Sequence, residues 1–240
     1  MERRTQEGYS STCYNIADVV DKAQAVCRAL EQEYGRPRWQ RRESLIDELI
    51  ATILSQNTTA KQADKAFRAL KERFGDWGSV RDCPLDELAE AIRVGGLAEQ
   101  KARSIKAVLD AICADQGRLD LEWLSTMPDE EALKFLQSFP GVGRKTAACV
   151  LMFGLGRPVM PVDTHVYRIA VRVGLIPPQS VDRAHDVFQS LVPPEMIYSC
   201  HVNMVAHGRR VCKARNPNCH KCVLRVYCDA YQKSQCEAVL

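Results

Sequence analysis

The chain has 240 residues, 46% of them hydrophobic, with 33 basic and 30 acidic side chains for a net charge of +3. That length allows one large or two modest domains with a real core, and no apolar run approaches the roughly 20 residues of a membrane-spanning helix. Residues 1–15, MERRTQEGYSSTCYN, lack the apolar centre of a secretory signal, so the expectation is a soluble, cytoplasmic protein with no membrane partner, whose net charge alone gives no case for nucleic acid.

Apolar residues recur at helical spacing almost throughout and no alternating strand pattern stands out, which predicts an all-α fold. After a polar, aperiodic tail over 1–15, Ile16, Val19, Val20, Ala23, Val26, Cys27 and Leu30 mark the inner face of a first helix ending near Gly35. A basic linker, RPRWQRRE, leads to a second helix on Leu45, Leu49, Ile53 and Leu54 and a third on Ala63, Ala66, Phe67, Leu70 and Phe74, stopped by Gly75. Pro84 is placed to open a helix through Leu85, Leu88, Ala91 and Ile92 that breaks at Gly95-Gly96. The next helix, from about Gln100 to Asp115, turns Ile105, Val108, Leu109 and Ile112 inward, and another comes over Pro128–Leu136. The segment FPGVG then separates that helix from a strongly apolar one running from Arg144 to about Leu155. Beyond GRPVMP, Asp163 or Thr164 caps a helix to about Val173, with further helices near 180–192 and 194–211, and 231–240 reads as a second tail.

The stretch FPGVGRKT places Lys145 directly behind two glycines at a helix start. Glycines there suit a tight turn with bare backbone amides, and a helix N-terminus offers unpaired N–H groups and partial positive charge, so the turn is a ready phosphate site. Lys145 serves either as an added point charge or as an amine nucleophile, and a nucleophile of that kind wants a carboxylate nearby. Asp163 of PVDTHVYR is the candidate, although the same aspartate is equally well placed as a plain helix cap.

Of the 11 cysteines, seven are scattered and four are concentrated in CKARNPNCHKCVLRVYC. Cys212, Cys219, Cys222 and Cys228 have the pattern C-x6-C-x2-C-x5-C, a spacing able to close four thiolates around one soft metal centre. With a single close-spaced doublet, the spacing leans toward an iron-sulfur cluster, with zinc as the alternative. Around it, Arg209, Arg210, Lys213, Arg215, Lys221 and Arg225 form a basic run with no acidic residue from 209 to 227, suited to a phosphate backbone.

Taken together, FPGVGRKTAACVL, the aspartate of VDTHVYR, and HGRRVC leading into the cysteine pattern resemble the endonuclease III family of DNA glycosylases, from about Leu45 to Cys228. The resemblance implies a helix-hairpin-helix DNA glycosylase fold. A six-helix barrel domain (43–156) and an iron-sulfur cluster domain (16–42 with 157–230) would face each other across a cleft. It implies Lys145 as the nucleophile that attacks C1′ of a flipped nucleotide, Asp163 as its carboxylate, and the four cysteines as ligands of a 4Fe-4S cluster. Gly141, Val142, Gly143 and Arg144 would grip phosphates, Leu97 would be a wedge in the duplex, Gln56 and Asn57 would face the base pocket, and Arg209 and Lys213 would meet the DNA backbone. The implied activity is a bifunctional glycosylase and abasic-site lyase of base excision repair, a nucleoid-associated monomer acting on double-stranded DNA with a damaged base or abasic site, oxidised pyrimidines first. SQNTTA departs from the family's S-A-Q-A-T-D, losing its acidic residue and aligning the motif glutamine with Asn57, so abasic-site lysis with little or different base excision (uracil, mismatched thymine, methylated cytosine) is the alternative, and DNA binding without catalysis comes after it.

Overall fold

The computed structural model describes residues 16–41 and 44–237. Twelve α-helices are found among them: α1 (Ile16–Tyr34), α2 (Leu45–Leu54), α3 (Ala60–Phe74), α4 (Trp77–Asp82), α5 (Leu85–Ala91), α6 (Ala98–Gln116), α7 (Asp129–Gln137), α8 (Arg144–Cys149), α9 (Thr164–Val173), α10 (Val181–Leu191), α11 (Pro194–Arg210) and α12 (Asp229–Glu237). No strand occurs in the described residues, and none of their helices is long and apolar enough to cross a membrane.

Two separate apolar cores organise these helices. The first gathers α2 to α8, with Leu49, Ile53, Leu70, Leu88, Ile105, Leu109, Leu136, Ala147 and Leu151 closed from solvent. The second joins the beginning of the chain to its later part, packing Val26 and Leu30 of α1 against Val166, Ile169, Phe188, Ile197 and Met204. Burying side chains of this size stabilises by about 1.5–3 kcal/mol each before the entropy of ordering is set against it. The α8 helix serves both: it widens at its end into a π-turn over Val150–Gly154, and Val150 and Leu151 face the first core while Met152 faces the second.

Several local expectations are corrected. The short α4 was absent from the periodicity; Asp76 starts it by accepting from the Ser79 amide at 2.9 Å. Pro84 stands just ahead of α5 as its cap rather than in its first turn. Residues 231–237, read as tail, belong to α12, which packs on α9 while Asp229 accepts from Lys22 at 2.6 Å. Residues 1–15 lie outside the described residues. Cys27, on the inner face of α1, and Cys200 of α11 meet as a disulfide with Cα atoms 5.2 Å apart, which the scatter of these cysteines along the sequence did not indicate.

Candidate active site and metal centre

Lys145 is the second residue of α8, just after the hairpin. In that hairpin Gly141 takes a φ of +78°, and a Cβ there would sit 3.0 Å from Ser104 Oγ, so both backbone and space call for glycine. Val142 is buried and donates its amide to Phe139 O at 3.1 Å, closing the turn. Gly143 caps α8 without any side-chain bond and has open space around it, leaving first-turn amides directed outward. The Arg144 side chain turns away from the hairpin: it donates to Asp182 O at 3.1 Å and pairs with Asp186, tying the turn to α10.

Asp163 caps α9, with Oδ1 accepting from the His165 and Val166 amides, both at 2.8 Å. The structural role anticipated for it is therefore real. It does not exclude the chemical one, because Asp163 and Lys145 act on the same two buried groups. Burial pushes the Cys149 thiol up to about 11; Lys145, hydrogen-bonded to it, works against that rise, and Glu48 and Asp163 add to it. Burial likewise pushes His201 down to about 4, with Asp163 opposing and Lys145 reinforcing the fall. His201 Nδ1 donates to Pro161 O at 2.9 Å, so a neutral imidazole is fixed beside the stretch of chain that carries the aspartate. The charges of Lys145 on α8 and of Asp163 at the start of α9 are thus both felt by Cys149 and His201.

Gln56 approaches from the end of α2, its Nε2 donating to Thr146 Oγ1 at 3.3 Å, one residue beyond Lys145. Asn57 is exposed with φ +51° and makes no such approach, so the glutamine that reaches the site is Gln56 and not the residue aligned with the family's glutamine. Leu97 is 51% exposed and also left-handed, with φ +51°, at the very start of α6. Arg209 and Lys213 are exposed at and beyond the end of α11, and among the described residues none of the six basic side chains from Arg209 to Arg225 forms an ion pair with a carboxylate. They remain available to an anionic surface.

Cys212, Cys219, Cys222 and Cys228 line one cavity of about 220 Å³, together with Arg172, Val211 and Tyr231. Four thiols around one cavity suit a polynuclear group. Burial, with the neighbouring cysteines adding to it, raises the Cys222 thiol to about 11, so bare thiolates repel one another and a cationic centre would relieve them. Arg172 donates to Cys212 Sγ at 3.3 Å, Lys213 O at 2.7 Å and Ala214 O at 3.0 Å, while Arg168 donates to Cys212 O at 2.9 Å. His207, fully buried, stands between Tyr34 Oη at 2.9 Å and Cys222 Sγ at 3.3 Å. The donor set fits an iron-sulfur cluster, and these arginines and this histidine are the supports that spacing could not reveal.

Sequence reasoning also gave no site role to Lys101, Cys149 or His201. Cys149 and His201 carried no signal beyond burial on apolar faces. Lys101 carried one: it falls a turn ahead of Ile105 on the inward stripe of α6, where a charge is out of pattern.

Residues 50–194 match the model of the HhH-GPD superfamily of base excision DNA repair proteins, and residues 212–228 match the iron-sulfur binding domain of endonuclease III. Endonuclease III of Sulfolobus acidocaldarius is 36% identical over 187 residues, covering 76% of this chain and 81% of that protein. A provisionally named DNA glycosylase of Arabidopsis thaliana is 37% identical over 199 residues, covering 82% of this chain and 66% of that protein. Among solved structures, a trapped endonuclease III–DNA covalent intermediate superposes with a TM-score of 0.77 at 28% identity, over 90% of this chain and 98% of that one. The matched domain is an iron-sulfur one, and nothing supports zinc in its place. With a lysine behind a glycine hairpin, an aspartate capping α9 and four thiols around one cavity, the chain belongs to the endonuclease III family of HhH-GPD base excision repair proteins.

Proposed function

We propose that this DNA glycosylase and abasic-site lyase excises oxidised pyrimidines, thymine glycol being the representative, from double-stranded DNA. The observation that carries the reading is the placement of Lys145 in the first turn of α8 directly behind the hairpin, with the Asp163 carboxylate held by two amides at the start of α9. In this reading the Lys145 amine forms a bond to C1′ of a flipped nucleotide while the glycosidic electron pair departs with the base, which takes up a proton. The sugar ring opens as the amine loses a proton, giving an imine. Removal of a C2′ proton then expels the 3′ phosphate. Asp163, whose Oδ1 is held by two amides, stabilises the positive charge that develops on the sugar. The amides of Gly141, Gly143 and Arg144 hold phosphates, Leu97 enters the duplex, and Arg209 and Lys213 track the backbone. Oxidised pyrimidines are favoured because they unstack at low cost. The four cysteines hold the cluster as 4Fe-4S, which keeps the basic loop in shape against DNA, and the protein acts as a monomer.

Borohydride trapping on duplexes carrying thymine glycol, uracil, a G:T mismatch, 5-methylcytosine or an abasic site tests the substrate and the nucleophile together. The expected result is a trapped adduct on thymine glycol and on the abasic duplex that is absent with Lys145→Ala. Trapping on the abasic duplex alone would replace this reading with a lyase, which the altered Gln56–Asn57 segment would explain. The cluster assignment is checked by iron and sulfide content, with broad visible absorption expected and a colourless protein contradicting it.

A further inference from the structure

The side chain of Lys101 is 3% exposed, and burial lowers its pKa, with no carboxylate acting on it. Burying an ammonium without an ionic partner is costly, so the two bonds it makes are informative. Nζ donates to Leu54 O at 2.7 Å and to Gly95 O at 2.8 Å. Leu54 is the last residue of α2, where carbonyls have no helical partner and the helix's partial negative charge lies. Gly95 ends the short 3-10 turn Arg93–Gly95. In addition, the Lys101 backbone amide donates to Leu97 O at 3.0 Å.

The residues just beyond each carbonyl give the arrangement its meaning. After Leu54 come Gln56, which reaches Thr146, and Asn57, held left-handed at φ +51°. After Gly95 comes Leu97, also held left-handed at φ +51° and half exposed. Left-handed conformations are uncommon for residues with a Cβ and persist only where their surroundings hold them. Both lie within three residues of a carbonyl bonded to the same amine.

We infer that Lys101 is a positioning residue that joins the Gln56–Asn57 segment and the Leu97 tip into one rigid unit, so that both enter a DNA duplex in fixed relation when a nucleotide is flipped. This rests on the activity proposed above. Lys101 touches neither DNA nor the reacting atoms; it acts through the two segments it ties. A single-stranded abasic substrate has no stack to open and no void to fill, so it does not need that unit.

The test compares wild type, Lys101→Met and Lys101→Arg, all cluster-loaded, on an abasic oligonucleotide presented single-stranded or in duplex, by rate of borohydride trapping. In parallel, the rise in 2-aminopurine fluorescence beside a tetrahydrofuran site reports unstacking of the duplex without any chemistry. Misplacing groups by an ångström costs up to about 100-fold, so Lys101→Met is expected to trap at least about 10-fold more slowly on duplex while staying within about 3-fold of wild type on single strand. It should also lose most of the fluorescence rise. Lys101→Arg, which keeps the charge but not the compact three-donor head, should show a smaller loss of the same selectivity, and it carries the test should Lys101→Met not fold. Equal losses on both substrates, or none on either, would overturn the inference. Should the wild type unstack the duplex but trap nothing, the covalent chemistry is overturned and the fluorescence comparison alone decides the role of Lys101.

Discussion

At the residue scale, the two functions of Asp163 separate by substitution. Its cap on α9 is geometric, two amide bonds to one oxygen, whereas its part in excision requires a negative charge. Asp163→Asn is therefore expected to fold almost as stably as wild type and to excise no thymine glycol, while Asp163→Ala loses both excision and about 1 kcal/mol, read from urea unfolding. His201 makes a second residue-scale prediction. It is pushed down to about 4 from 6.5, so between those pH values the unfolded chain binds a proton that the folded chain does not, and stability must fall as pH falls through that window. His201→Gln should flatten this decline, checked by the pH dependence of the urea midpoint. Lys145 and Asp163 were both recognisable as candidates from FPGVGRKT and PVDTHVYR. That the two belong together came from the family resemblance alone, since helical periodicity places a residue on a face of its own helix and says nothing of which helices converge.

At the element scale, the long amphipathic helices were legible because an apolar stripe of three or four turns states both the helix and its buried face, as in α3 and α9. The misses are the elements that lack such a stripe. The six-residue α4 depends on its Asp76 cap, with Val80 its single buried residue, and α12 is polar along most of its length. The predicted helix to Leu155 was right in extent, but an even apolar surface gave no sign of the π-turn over Val150–Gly154 that lets it serve two cores. Close helix approach is another property that sequence leaves implicit. A Cβ at Gly208 of α11 would lie 2.8 Å from both Cβ and Nδ1 of His165 on α9. Gly208→Ala should force α9 and α11 apart at a cost of about 1–3 kcal/mol, measured as a lower denaturation midpoint.

At the scale of the whole molecule, α9 connects the two sites. Its first turn is capped by Asp163, and one helical face further along carries Arg168 and Arg172, which hold the backbone of the cysteine loop at Cys212, Lys213 and Ala214. Arg172→Met should therefore loosen the loop without disturbing the first core. The expected result is faster loss of visible absorption and iron on chelator challenge, with helical circular dichroism from α2 to α8 preserved. The path of the chain has its own consequence. The first core is built from one continuous stretch, whereas the second needs α1 from near the start to meet α9 to α11, and Lys22 bonds Asp229 across 207 residues. On a ribosome, the continuous stretch has all its partners while the second core still lacks most of its own, and loop closure over so long a separation comes late. Until α9 to α11 have been translated, Ala23, Val26 and Leu30 of α1 have no permanent shelter, so the interval before those helices emerge is when the nascent chain is most open to aggregation and to chaperones.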